Sequence, residues 1–305
     1  MTMISVQTCE LCQLYGVDEA YRMIKEAGFQ AVDVNLDILL SNADVKAKLR
    51  SPAFEAEGEA CLRYFRPYKD AAEKYGLCNY QAHAPFPSSI AGEDEYSEFL
   101  MQVLEKTIMG CGSIGCSRLV IHPFFNGYDK AMDPDEEWAV NMDRYARLIP
   151  AAKKYGVRIL LENMFSGRRG KIYSACCSDF DIACRYVDEL NKLAGEERFG
   201  FCLDTGHALL LGKDIRSVMA MLGKRILAFH IHDNNGVSDQ HVAPYTGILD
   251  WDRFVDGLKR LDYHGALSFE TDGAVRAFPP ELHPELLRLI ARTGKFFIRK
   301  AGLEA

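Results

Sequence analysis

The sequence predicts an α/β fold: a single (β/α)8 TIM barrel, with residues 1–305 forming one domain. Short β-branched or apolar runs alternate with longer stretches of helical periodicity, and the alternation repeats eight times. No Pro/Ser-rich linker or low-complexity segment interrupts it. Alternating strand and helix patterns specify a parallel sheet covered by helices, and eight such units close naturally into a barrel. A doubly wound open sheet is the alternative, but no G-x-G-x-x-G follows the first strand.

The strands are predicted at 3–7 (MISVQ), 31–35 (AVDVN), 77–83 (LCNYQAH), 118–122 (RLVIH), 157–163 (VRILLEN), 199–204 (FGFCLD), 226–232 (ILAFHIH) and 266–270 (ALSFE). Each is a short run rich in apolar or β-branched residues. Amphipathic helices are predicted between and after them at 17–27, 57–75, 95–111, 137–155, 178–193, 215–222, 251–261 and 281–299. Four helix ends carry Gly just before the next strand, in KEAGFQAVDV, AEKYGLCNYQ, KKYGVRILLE and DYHGALSFE. Glycine there caps the helix and turns the chain into the strand.

At 305 residues and 48% apolar, the chain can bury a barrel-sized core. A formal charge of −7 argues against a general nucleic-acid or anionic-membrane binder. MTMISVQTCE lacks a basic segment followed by an apolar run, and nowhere do about 18 uncharged apolar residues occur together. The expectation is a soluble, cytoplasmic protein, with homo-oligomerisation open. The ten cysteines are spread along the chain with no export signal, which argues against a disulfide framework. Cys78, Cys116, Cys184 and Cys202 fall in apolar strands and helices, as small hydrophobes do. Cys9 and Cys12 have C-x-x-C spacing but no second pair, so packing is the expected role rather than redox or metal chemistry.

Polar residues collect where strands end. His83, His122, Glu162 and Asp204 close four of them, and His207 follows three residues on. His232 closes the seventh, its loop carries Asp239 and His241, and Glu270 closes the eighth. Barrel enzymes place their chemistry on this rim. Five histidines, two aspartates and two glutamates on one rim would be a costly burial of polar groups unless something paired them. A divalent ion does so, the carboxylates suiting Mn, Co, Mg or Zn and the imidazoles Zn or Mn.

LENMF, CLDTGHA, HIHDN, DQHVAPYTGILDW and SFET, taken together, resemble the xylose isomerase-like TIM-barrel superfamily over nearly the whole chain. That superfamily holds sugar and sugar-phosphate isomerases and epimerases, inosose dehydratases and the endonuclease IV enzymes. The resemblance to its ketose-epimerase branch implies that Glu162, Asp204, His232 and Glu270 hold one divalent metal. It further implies that Glu162 and Glu270 form the acid/base pair, with His207 on the substrate. In that chemistry a metal bridging a carbonyl and the adjacent hydroxyl stabilises the enediolate left when an α-proton is removed. The endonuclease IV branch implies three zinc ions held by His83, His122, Glu162, Asp204, His207, His232, Asp239, His241 and Glu270. A dehydratase or lyase on a keto-cyclitol or oxidised sugar shares the same proton abstraction. A catalytically silent sugar- or metal-binding barrel is less favoured, because both glutamates are present.

Departures from the nuclease pattern favour a small-molecule sugar or sugar phosphate over nucleic acid. Gln240 stands where the nucleases carry Arg, and Phe124 follows Pro123 where they carry Gly. Against a simple epimerase, Ser238 stands six residues after His232, where those enzymes carry Arg. Arg168, Arg169 and Lys171 in SGRRGKIY either supply the missing cations or form a solvated basic loop. His230 either contacts substrate or ligands, or is an inert inward-facing residue. His264, His283 and Trp138 are expected to be structural. Phe86, Phe124, Phe125 and Tyr245 either wall the ligand or cover the barrel mouth.

Overall fold

The computed structural model describes residues 2–124, 132–168 and 170–303. Its strands are β1 (Met3–Gln7), β2 (Ala31–Asn35), β3 (Cys78–His83), β4 (Arg118–Val120), β5 (Arg158–Glu162), β6 (Phe165–Arg168), β7 (Lys171–Ser174), β8 (Phe199–Asp204), β9 (Ile226–His230) and β10 (Ala266–Phe269). Eight of them run in the order β10-β1-β2-β3-β4-β5-β8-β9, each parallel to its neighbour. The ring closes just beyond β9, where Ile231 N donates to Ser268 O at 2.8 Å and Glu270 N donates to Ile231 O at 3.1 Å. This is the (β/α)8 barrel that the eightfold alternation predicts.

Side chains of a strand alternate between its two faces. Outward residues such as Ile159, Leu161, Phe201, Leu203 and Phe229 join the main core with the helices. Inward residues stack in layers. Val120, Leu160, Cys202 and Ala228 form a separate small apolar cluster. Ser5, Asp33, Gln81 and Ser268 are buried and hydrogen-bonded through Asp33 and Ser268. Two residues further along the same faces stand Gln7, His83 and Glu270, with Glu162, Asp204 and His230 from the other half of the ring.

The helices Val17–Ala27, Ile215–Leu222 and Trp251–Leu261 have the expected bounds. The helix expected over 57–75 is broken into Gly58–Leu62 and Arg66–Tyr75, because Pro67 lacks the N–H that a continuous helix needs. Gly28, Gly76 and Gly156 cap their helices in the left-handed region. In DYHGALSFE that task falls instead to Asp262 (φ 50°). Gly265 answers a different need, since a Cβ there would lie 2.2 Å from Tyr263 Oη and 2.6 Å from Tyr80 Oη. In place of the basic loop that SGRRGKIY predicts, β6 and β7 on either side of residues 169–170 pair antiparallel. All ten cysteines are unpaired thiols. Burial pushes Cys12 up to about 12 and raises Cys9 as well, which keeps both protonated. Among the described residues no helix is long and apolar enough to cross a membrane.

The last helix, His283–Ala301, seats Gly294 against the barrel, where a Cβ would fall 2.6 Å from Ile4 Cγ2 and 2.8 Å from Phe269 Cε2. Gly294→Leu should therefore cost roughly 1–3 kcal/mol by overpacking. A lowered urea midpoint is expected, and one at or above wild type would refute this close seating.

Candidate metal centre

Four donor residues meet at the centre of the rim: Glu162, Asp204, His230 and Glu270, all buried. His230 Nδ1 lies 2.6 Å from Glu162 Oε1 and 3.3 Å from Glu270 Oε2. Gln7 Nε2 donates to Glu270 Oε1 at 2.6 Å, which leaves Oε2 as the inward oxygen. Asp204 Oδ1 accepts from His207 N at 2.6 Å, capping the helix Thr205–Leu210.

His232, expected in this group, is replaced there by His230. The strand ends at His230, and the chain then turns toward the helix Thr205–Leu210. Thr205 Oγ1 donates to His232 O at 2.8 Å and accepts from His232 N at 3.1 Å. The His232 ring packs on Gly206, where a Cβ would lie 2.0 Å from its Cε1. His232 Nε2 still touches Asp204 Oδ2 at 3.0 Å, but its group is that of His207, Asp239 and His241.

Two donor groups thus flank the central one. On one side His83, His122 and Glu162 converge. His122 Nε2 lies 2.8 Å from Glu162 Oε2 and 2.9 Å from His83 Nε2. His83 Nδ1 donates to Ala84 O at 2.8 Å, so its Nε2 carries a bare lone pair. On the other side Asp239 Oδ2 lies 2.9 Å from His241 Nε2 and 3.4 Å from His207 Nε2. His207 Nδ1 donates to Asn163 O at 2.8 Å, which aims Nε2 into the group. Glu162 and Asp204 tie the outer groups to the centre.

These residues suit a divalent ion. His241 Nδ1 and Asp239 Oδ1 are buried without a hydrogen-bond partner and lie 3.9 Å from Glu270 Oε2 and His232 Nε2 respectively, as a ring nitrogen and a carboxylate do when a cation is their intended neighbour. The charge balance agrees. Burial opposes ionisation of Glu162, but His230 and His122 outweigh it and hold the carboxyl well below its usual range. Burial lowers the His83 imidazole, with help from His122, to about 4, so it is a neutral donor at ordinary pH. For His230 the neighbouring Cys202, Glu270 and Glu162 overcome burial and raise it; for His207 Asp204 and Asp239 do so. At the edge of the mouth, burial and then Glu270 push the carboxyls of Asp37 and Asp272 up to about 7.

Other expected residues fall elsewhere. Arg169 and Phe125 lie outside the described residues. Arg168 ends β6, and Lys171 begins β7, exposed to solvent. Phe124 is buried against Tyr145, its main chain held from both sides by Asn141, rather than facing a ligand. Phe86 packs edge-on to His122, and Tyr245 is exposed beyond the loop. His264 pairs with Asp262 on the surface, His283 is held by Tyr15 and two main-chain oxygens, and Trp138 stacks on Tyr186. Sequence reasoning missed Gln7, Asp33 and Asp233. Asp233 anchors the loop that bears Asp239 and His241, accepting from Leu249 N, Tyr245 N and Trp251 Nε1 at 3.0, 3.2 and 2.9 Å.

Residues 21–293 match the family described as the xylose isomerase-like TIM barrel. The chain belongs to that family. Uncharacterized protein y4fM of Sinorhizobium fredii is 42% identical over 72 residues, 24% of this chain and 23% of that protein. Protein MJ1311 of Methanocaldococcus jannaschii is 26% identical over 196 residues, 62% of each chain. The match spans less than two thirds of the length of either relative. A probable endonuclease 4 of Mycobacterium ulcerans is 24% identical over 231 residues, 69% of this chain and 84% of that one. Among solved structures, a D-tagatose 3-epimerase-like protein superposes with a TM-score of 0.67 at 19% identity, covering 96% of this chain and 99% of that one. The IOLI protein with a bound zinc atom gives 0.69 at 18% identity, covering 99% of each. At these identities the structural likeness is one of fold.

Two predictions concern this member of the xylose isomerase-like family. A Cβ on Gly273 would lie 1.8 Å from the main-chain oxygen of Gln240, between Asp239 and His241. Gly273→Ala should push that loop away, lowering stability by about 1–3 kcal/mol and reducing the metal bound per chain. Unchanged stoichiometry and stability would show that the loop is not seated there. The second prediction concerns Asp37, whose folded pKa lies above its unfolded value, so the stability it contributes is full below about pH 4 and is lost as pH rises through about 7. In metal-free protein, Asp37→Asn should gain on wild type in thermal midpoint between pH 5 and pH 8. A constant gap would mean that Asp37 titrates normally.

Proposed function

We propose that the chain is a divalent-metal-dependent sugar or sugar-phosphate isomerase or epimerase that moves a proton at the carbon beside a carbonyl. The observation that carries this reading is the convergence of two glutamates from separate strands on one point, 2.6 and 3.3 Å from His230 Nδ1. Glu162, Asp204, His230 and Glu270 would hold one Mn, Co, Zn or Mg ion. That ion, when bound, would supply Lewis acidity to a carbonyl and its neighbouring hydroxyl. Gln7 fixes one oxygen of Glu270, so the other is held ready to take or return the α-proton. Glu162 stands across from it, with its second oxygen steadied by His122. Burial raises the carboxyls of Asp37 and Asp272 to about 7, so at ordinary pH they are partly protonated and can both donate hydrogen bonds to sugar hydroxyls and accept from them. A D-tagatose 3-epimerase-like protein and a zinc-bearing IOLI protein sharing the fold support the same direction.

A second reading, an endonuclease IV-like metal-assisted hydrolase, is favoured by one observation: one flanking group shares Glu162 with the centre, and Asp204 of the centre lies 3.0 Å from His232 of the other, an arrangement suited to neighbouring ions. A probable endonuclease 4 among the relatives points the same way. A lyase would use the proton-abstraction half of the first mechanism, followed by loss of a leaving group.

Metal-loaded protein incubated with a panel of ketoses in deuterium oxide should introduce solvent deuterium at the α-carbon. Glu270→Gln should slow that exchange by roughly 10²–10⁴-fold, with metal content measured alongside, and chelation should abolish it. Efficient cleavage of abasic-site DNA without exchange into any ketose would sink the sugar reading and support the hydrolase.

A further inference from the structure

We infer that Asp33, on the second strand and below the donor residues, is a positioning residue for His230. This rests on the reading that the central group holds a metal. The Asp33 side chain is fully buried inside the barrel. Its Oδ2 lies 3.1 Å from His230 Nε2, accepts from Gln81 Nε2 at 2.7 Å and is reached by Ser268 Oγ at 3.3 Å. Burying a carboxylate costs several kcal/mol unless it is paired, and an apolar side chain would fill the barrel interior without that cost. Asp33 is paired from three strands, and one of its partners is the imidazole whose opposite nitrogen faces Glu162 and Glu270.

The consequence is geometric. With Nε2–H donated to Asp33, Nδ1 is the nitrogen that can give up its proton to a metal, and the ring plane is fixed so that Nδ1 points between the two glutamates. A metal-binding histidine is commonly held in this way by a carboxylate on its far side, which orients the ring and raises its basicity as a ligand. His83 and His207 are held at the same task by main-chain oxygens, Ala84 O and Asn163 O. No substitution removes those acceptors. The acceptor for His230 is a side chain, which makes this one orientation separable by mutation.

Zn²⁺ titrated against a chromogenic chelator provides the test. Asp33→Asn should weaken the central site about 10- to 100-fold while the thermal midpoint of the metal-free protein changes little. Ser268→Ala removes another donor to the same carboxylate but leaves the His230 contact, and should bind nearly as wild type does. Affinity of Asp33→Asn within twofold of wild type would overturn the inference. A second measurement needs no variant at Asp33. In zinc-loaded protein carrying ¹⁵N-histidine, the His230 ring, identified by its loss in His230→Gln, should show a protonated Nε2 and a metal-bound Nδ1. The opposite assignment would overturn the inference. A zinc stoichiometry that Glu270→Gln leaves at the wild-type value would instead remove the metal reading on which it rests.

Discussion

The constraint on which the rest of the structure depends is the burial of carboxylates inside a closed parallel barrel. Asp33, Glu162, Asp204 and Glu270 are all taken out of water on the inner face of the ring. Each would be several kcal/mol too costly there alone. They are tolerated because imidazoles reach them from neighbouring strands: His230 touches Asp33, Glu162 and Glu270, and His232 touches Asp204. The strand pleat makes this unavoidable, since every second residue of every strand must point inward. A residue that is neither apolar nor paired has no place there.

The same logic extends outward to the loop over the site. Asp239 and His241 belong to no strand, so their position must be imposed. Asp233 does this by gathering the main-chain amides of Tyr245 and Leu249 and the Trp251 indole, while Val242 exchanges main-chain hydrogen bonds with Asp233. Gly273 supplies the close approach from below, and Ala274 N donates to His241 O. His241 itself sits at φ 48°, a conformation costly for a non-glycine residue and typical of functional loops. Several weak constraints thus hold one carboxylate and one imidazole beside His207.

The barrel was legible because strand and helix have different periods, and eight repeats leave few topologies open. The rim residues were legible because they end strands. What escaped was decided by contacts distant in sequence. HIHDN contains two histidines two residues apart on one strand pattern, and periodicity alone gives them the same face. Thr205, which opens the helix after the preceding strand, binds the main chain of His232, and no local signal announces those hydrogen bonds. Asp33 left a readable trace, a charged residue between Val32 and Val34 in a strand buried on both faces. Gln7 left a weaker one. The hairpin in SGRRGKIY was masked by its basic, loop-like composition.

The difference between one ion and several turns on Glu162. A carboxylate with one oxygen toward the centre and the other against His122 is a good bridge and a constrained base. Proton transfer asks a carboxylate to change partner during turnover, whereas bridging asks it to stay. Glu270 carries the opposite signature: Gln7, a neutral donor, holds one oxygen, and the other lies 3.3 Å from His230 and 3.9 Å from His241. If the His83 and His122 nitrogens share an ion with Glu162, the two glutamates are no longer equivalent, and Glu270 becomes the more mobile proton carrier. If those histidines instead bind substrate oxygens, Glu162 is freed and the symmetric two-glutamate mechanism holds. The chemistry of the site therefore depends on whether the His83 and His122 nitrogens meet an ion or a substrate oxygen during turnover.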